Sequence, residues 1–234
     1  MHCNSIAATI LGLSALATAA PFSMTNQSTP ISTLSLTAQL QLADTALDRY
    51  QLLTDQDFVF NYNDSATGLA TRKSFPALVG TGASMAIAEF GPCAMASLHI
   101  HPRSAELFLV VSGQITTEMT LESGAIDPST GKTRAVRTVL GPRQMTVFPQ
   151  GAFHTQINTE CSPALTVAAF ADEDAGASLV VPQTLGLGDD FVVPSFGGVI
   201  KGEDVEILRG MVPQSAIFRV EECLVKCGMK KRGV

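Results

Sequence analysis

Between Phe58 and Phe170 the apolar residues fall in short clusters: Phe75–Val79, Met85–Ala88, Leu107–Val111, Val136–Leu140, Met145–Phe148 and Ala164–Phe170. Gly, Pro, Asp or Ser separates each cluster from the next. Short strands at regular spacing, with turn residues between them, predict an all-β sandwich or barrel. The stretch Asp127-Pro128-Ser129-Thr130-Gly131-Lys132 has the composition of a hairpin loop. No internal repeat is visible, so the pattern predicts one barrel. After Pro213 the period changes. Ala216, Ile217, Val220, Cys223, Leu224 and Cys227 recur at helical spacing, whereas Arg219, Glu221, Glu222 and Lys226 fall off that stripe. Pro213 suits a helix start and Gly228 a stop, so the spacing predicts an amphipathic C-terminal helix packed on the barrel or on a neighbouring subunit.

The first residues follow another pattern. Ile6 to Ala20 carries no charge and ends in Ala17-Thr18-Ala19, just before Pro21. The run is shorter than the ~20 apolar residues of a membrane span and has the form of a secretory signal, so residues 1–19 are expected to be removed. No later segment is long and apolar enough to span a bilayer, and a secreted, extracellular protein is expected. Two N-x-S sequons, at Asn26 and Asn63, agree with export as candidate glycosylation sites. Beyond the signal four cysteines remain, Cys93, Cys161, Cys223 and Cys227. Four thiols in an oxidising compartment predict two disulfides, with three connectivities open.

Composition narrows the choice of partners. The 234 residues carry 15 Lys+Arg against 21 Asp+Glu, a net charge of −6. That balance leaves no basic footprint for nucleic acid. Hydrophobic residues make up 46%, which excludes a chain disordered throughout.

The candidate chemistry lies in two segments. In the first, from Gly91 to Gly113, His99 and His101 are two residues apart, so on a strand they project to one face, about 6.6 Å apart along the chain. Pro102 turns the chain, and Glu106 opens the next strand facing back inward. In the second, Pro149-Gln150-Gly151 makes a tight turn and His154 opens a strand whose alternation places His154, Gln156 and Asn158 on one face. The chain has four histidines; one is in the expected signal and the other three all fall in these two segments. Three imidazoles and a carboxylate can converge on one divalent metal. Nitrogen and oxygen donors without thiolate fit manganese or iron, with copper, nickel or zinc allowed by raw affinity.

The pattern H-x-H-x4-E-x6-G from His99, followed by P-x-G-x2-H-x3-N from Pro149, resembles the paired motif of the cupins. The wording H-x-H-P-R-x-x-E is similar to that of germin and spherulin-type members, and the Cys-bearing end from Glu222 to Gly228 resembles secreted fungal ones. Gly91 and Gly141 sit two residues upstream of the family's leading glycines. The resemblance implies a double-stranded β-helix (jelly-roll) barrel at 51–175, after an arm at 20–50 and before a C-terminal helical extension at 176–234, in a ring-shaped homo-oligomer. It implies a manganese site made of His99, His101, Glu106 and His154. Gln156 matches a glutamine that hydrogen-bonds a metal-bound oxygen, and Asn158 falls beside it. If the two histidine strands are antiparallel neighbours, as in cupins, Cys93 falls opposite Cys161, and a bridge between them needs a bulge to turn Cys161 inward.

Germin-type enzymes that act on oxalate hold it with two asparagines. Ala86 and Ala96 occupy the matching positions here, and neither can donate a side-chain hydrogen bond. The resemblance therefore favours a superoxide dismutase-like redox reaction, with a small anion or dioxygen species at the metal, over oxalate oxidation. The alternative is a non-enzymatic extracellular metal-binding, wall or storage protein.

Overall fold

The computed structural model describes residues 34–229. The expected signal at 1–19 and the sequon at Asn26 lie outside the described residues. Two short helices come first, α1 (Leu36–Leu42) and α2 (Ala46–Leu52). Ser35 caps α1, and Thr45 with Asp48 forms a capping box on α2, which satisfies free amide groups at their starts.

Twelve strands follow: β1 (Leu69–Ala70), β2 (Ser84–Phe90), β3 (Ala94–Ala96), β4 (His99–Ile100), β5 (Glu106–Ser112), β6 (Ile115–Thr120), β7 (Ala135–Leu140), β8 (Met145–Phe148), β9 (Phe153–Ile157), β10 (Ala164–Phe170), β11 (Ser178–Leu179) and β12 (Ile217–Arg219). One sheet has the order β1-β2-β10-β5-β8, and the second contains β11-β4-β9-β3-β12, with β6 beside β9 and β7 beside β6. All the pairings are antiparallel. The β10 segment alternates buried and half-buried positions along its whole length, as a strand between two layers must. Phe90, Phe108, Val110, Ile115, Phe148 and Phe170 form the core between the sheets.

The predicted strand clusters at Met85–Ala88, Leu107–Val111, Val136–Leu140, Met145–Phe148 and Ala164–Phe170 are all strands. The cluster at Phe75–Val79 is instead a 3₁₀ turn over Pro76–Leu78, because Pro76 lacks the amide a ladder needs and suits the first turn of a helix. The loop at Asp127–Lys132 does close the β6–β7 hairpin, with Ile126 bridged to Thr133.

The C-terminal region holds α3 (Val180–Leu185), α4 (Asp189–Ser195), α5 (Gly202–Met211) and α6 (Glu221–Lys226). Leu185, Val192 and Val205 make a small core of their own there. The expected amphipathic helix from Pro213 is corrected: residues 217–219 are strand β12, paired with β3, and the helix begins only at Glu221. The open edge of β3 offers backbone partners that an isolated first helical turn would lack.

The expected Cys93–Cys161 bridge is also corrected. The disulfides are Cys93–Cys223 and Cys161–Cys227. The two histidine strands are neighbours, with His99 opposite His154 and Met95 opposite Ile157, but their ladder stops there. Cys93 lies beyond it with a left-handed backbone (φ 59°), and its carbonyl accepts from the Val220 amide. It therefore meets α6 rather than Cys161. Both bridges pin α6, and with it β12, to the barrel.

Candidate metal centre

β4 presents His99, and His101 follows directly after it. The chain turns at Pro102, and Glu106 is the first residue of β5, paired with Phe148 on one side and Phe170 on the other. His154 and Gln156 are the two buried positions of β9. His99, His101, Glu106 and His154 bring one ligand atom each to within 4.8 Å of one another. His101, Glu106 and His154 are 7%, 3% and 1% exposed.

Each imidazole is held by its Nδ1–H. His99 donates to the Ser97 carbonyl at 2.7 Å, His101 to Gly176 at 2.6 Å and His154 to Ala152 at 2.8 Å. A carbonyl can only accept, so in each neutral ring Nδ1 carries the proton and Nε2 is left with a lone pair. Phe148 stacks on His154 with ring centres 4.2 Å apart, and Phe170 packs on His101 at 4.6 Å. Two of the three rings are thus fixed by packing as well as by hydrogen bonding.

That tautomer creates a conflict which a cation resolves. Glu106 Oε2 lies 2.9 Å from His101 Nε2 and 3.0 Å from His154 Nε2. With both Nδ1 atoms protonated, lone pairs face lone pairs. His101 Nε2 is buried, and its 2.9 Å approach to Glu106 falls outside hydrogen-bonding geometry, so among the described residues it has no hydrogen bond. Buried polar atoms are rarely left so, and the convergence of three further donors makes this a candidate cation position. Burial would raise the Glu106 carboxyl, but in the metal-free protein, when the His101 and His154 Nε2 atoms take up protons, their hydrogen bonds and charge outweigh that and hold it at about 2. Burial, then the neighbouring His154, depresses His99 to about 4. Near neutral pH, Glu106 is anionic and His99 neutral, the states that ligate a metal.

Three of the four donor residues, His99, His101 and Glu106, border a cavity of about 190 Å³. Ala86, Ala96 and Gln156 all line it. Asn158 does not: its carboxamide donates to the carbonyls of Phe90, Gly91 and Ser162 and accepts from the Glu160 amide, fixing the turn after β9. Asn63 is exposed, in a 3₁₀ turn over Tyr62–Asp64. The four described cysteines are paired in the two disulfides. Leu179, Ala216 and Ile217 complete the cavity wall from the C-terminal region. Their role had no signal in the sequence beyond the apolar character of Ile217. The carbonyl tethers at Ser97, Ala152 and Gly176 had none, because a backbone acceptor leaves no mark on residue type.

A two-layer antiparallel barrel with three inward imidazoles and a carboxylate at one end is the architecture of the cupins, and the chain belongs to that family: the cupin profile matches residues 50–192. Within it the chain is of the germin-like and spherulin type. It is 33% identical to Spherulin-1B of Physarum polycephalum over 202 residues, covering 82% of this chain and 78% of that one. It is 38% identical to Putative germin-like protein 9-2 of Oryza sativa subsp. japonica over 124 residues, 53% of this chain and 54% of that one. Among solved structures, an oxalate oxidase aligns with a TM-score of 0.53 and 23% identity over 68% of this chain and 78% of its own. A variant of Bacillus subtilis oxalate decarboxylase aligns with 0.54 and 17% over 68% and 39%. At those identities the likeness is one of fold.

Proposed function

We propose that this protein is a secreted, manganese-binding germin-like cupin with metal-dependent redox activity of the superoxide dismutase type. The observation that carries the proposal is the buried His101 Nε2, left without a hydrogen bond where two further imidazoles and Glu106 converge. His99, His101, Glu106 and His154 would hold the ion, and nitrogen and oxygen donors without thiolate suit manganese, with iron or another divalent metal the alternatives. In dismutation one superoxide is oxidised to dioxygen and a second is reduced, with two protons, to hydrogen peroxide; the metal's two oxidation states carry the electron between them.

The protein's own share is positioning. The Nδ1 tethers keep three Nε2 lone pairs aimed at one point, and the depressed Glu106 carboxyl keeps its charge there. Gln156 borders the same cavity and can hydrogen-bond a small anion bound at the metal. Oxalate is disfavoured as substrate because alanines stand at positions 86 and 96 of the cavity wall. Two disulfides and the lack of any described helix long and apolar enough to cross a membrane support secretion. Homo-oligomers are supported by an apolar row across the first sheet, in which exposed Val147 pairs with exposed Leu107, Leu107 with half-buried Ala169, and Ala169 with exposed Met85.

The test is superoxide consumption by the manganese-loaded protein beside the same sample stripped with chelator. Activity that tracks metal content supports the proposal. A loaded protein that consumes no superoxide leaves the non-enzymatic metal-binding reading.

A further inference from the structure

The two disulfides adjoin each other. Cys223 on α6 and Cys227 at its C-terminal cap are four residues apart, so both face the barrel from one side of the helix. Across the two bridges, Cys93 Sγ lies 3.7 Å from Cys227 Sγ, a contact distance for two sulfurs. The sulfurs of Cys93, Cys223 and Cys227 all fall within 4.8 Å of one another. Access is graded across the group: Cys93 is fully buried, Cys223 and Cys227 are half-buried, and Cys161 is exposed. The bridge that solvent reaches at Cys161 therefore touches the one anchored in the interior at Cys93.

We propose that the two bridges form one thiol–disulfide exchange centre, which accepts two electrons from an external dithiol at Cys161 and passes the exchange inward to Cys93. A thiolate of the dithiol attacks Cys161 Sγ; the Cys161–Cys227 bond breaks and Cys227 leaves as a thiolate. The dithiol's second thiolate attacks its own sulfur in that mixed disulfide, closing the reductant's disulfide and releasing the Cys161 thiolate. The Cys227 thiolate attacks Cys93 Sγ, forming Cys93–Cys227 and expelling the Cys223 thiolate. The dithiol gives up two electrons and two protons, the protons go to Cys161 and Cys223, and one bridge remains. Attack by a thiol already in contact outruns the collision of free reductant with a buried sulfur. Both α6 cysteines reach Cys93, so α6 and β12 stay tethered to the barrel while the centre is half reduced. That tether matters for the cavity, because β12 pairs Ile217 with Ala96, and Ala216 and Ile217 form part of the cavity wall.

The experiment is timed reduction of the folded, fully oxidised protein with excess dithiothreitol, quenched with acid and blocked with N-ethylmaleimide before unfolding. Molecules carrying two blocked cysteines are isolated by mass, digested and mapped. Cys161 should be blocked in every one of them. Two pairings should be present: Cys93–Cys223 with Cys227 blocked, and Cys93–Cys227 with Cys223 blocked. The second should make up at least about a tenth of the fraction, the share that a preference of ~1.4 kcal/mol for Cys223 would leave. A fraction in which Cys93 is joined to Cys223 alone overturns the proposal. So does one in which the Cys93–Cys223 bond has opened while Cys161–Cys227 is intact, a passage straight from two bridges to none, or a Cys161–Cys227 bond that dithiothreitol leaves closed. The wild-type chain supplies every one of these readings, so none depends on a variant folding.

Discussion

Replacing His154 by alanine removes the donor that comes from a separate strand and closes the site. The ring is 1% exposed, stacks on Phe148, donates to the Ala152 carbonyl and faces Glu106 at 3.0 Å. Loss of a partner that merely orients a ligand costs 10–100-fold in metal affinity as a rule. Loss of the ligand itself should cost at least about 100-fold. At free manganese of about 100 times the wild-type dissociation constant, linkage adds ~2.7 kcal/mol to the stability of the native protein. For a domain of this size each kcal/mol is worth about 2–4 °C in Tm, so wild type should gain roughly 5–11 °C on adding manganese. The variant, at a concentration only about equal to its own dissociation constant, gains ~0.4 kcal/mol, or about 1–2 °C. Thermal melting with and without manganese reads both numbers. Comparing each protein with its own metal-free form sets aside the packing lost with the ring. An equal manganese-induced shift in wild type and H154A would refute the four-donor assignment.

Other expectations follow from the same geometry. The metal-free protein should lose stability as pH falls from 6.5 to 4, because His99 titrates near 4 when folded against an ordinary 6.5, so the unfolded chain binds the extra proton in that window. Glu106, at about 2 instead of 4.5, extends the loss below pH 4.5; a Tm that is flat from pH 7 to 4 would contradict the His99 shift, and one flat from pH 4.5 to 2 the Glu106 shift. Peptide mapping without reduction should join Cys93 to Cys223 and Cys161 to Cys227, and a Cys93–Cys161 peptide would reject the arrangement. Removing one bridge should cost about 2–5 kcal/mol, read as a lower Tm of C223S. Oxalate-dependent peroxide formation should be weak in the loaded protein and rise in A86N/A96N, by up to two to four orders of magnitude if each asparagine restores ~1.5–3 kcal/mol. Strong oxalate turnover by the unmodified protein would refute the role given to the alanines.

Much of this was legible in the residues, for identifiable reasons. The barrel showed because β10 and β5 alternate or cluster apolar residues between turn signals, a local pattern that tertiary structure did not override. The four donors showed because histidine is rare here and H-x-H, Glu106 and His154 keep strand periodicity. Strand β6 was not seen, because its row of threonines looks polar; β-branched threonine suits a strand whichever way it faces. The C-terminal reading failed at 217–219 because helical spacing was judged without knowing that β3 would offer a free edge. The disulfide reading failed at Cys93 for a related reason. Extending a ladder by counting assumes that it continues, and the left-handed backbone at Cys93 ends it. Asn158 shares its face with Gln156 by alternation, yet β9 stops at Ile157 and the amide serves the following turn.

The central claim, that His99, His101, Glu106 and His154 hold manganese, is tested most directly by elemental analysis with electron paramagnetic resonance on protein purified without added metal from the medium of cells secreting it. The account predicts manganese at one ion per chain, with a manganese hyperfine spectrum that disappears on chelation and returns on reloading. Protein that is folded and disulfide-bonded but carries no metal, and takes up none when manganese is supplied, would contradict it.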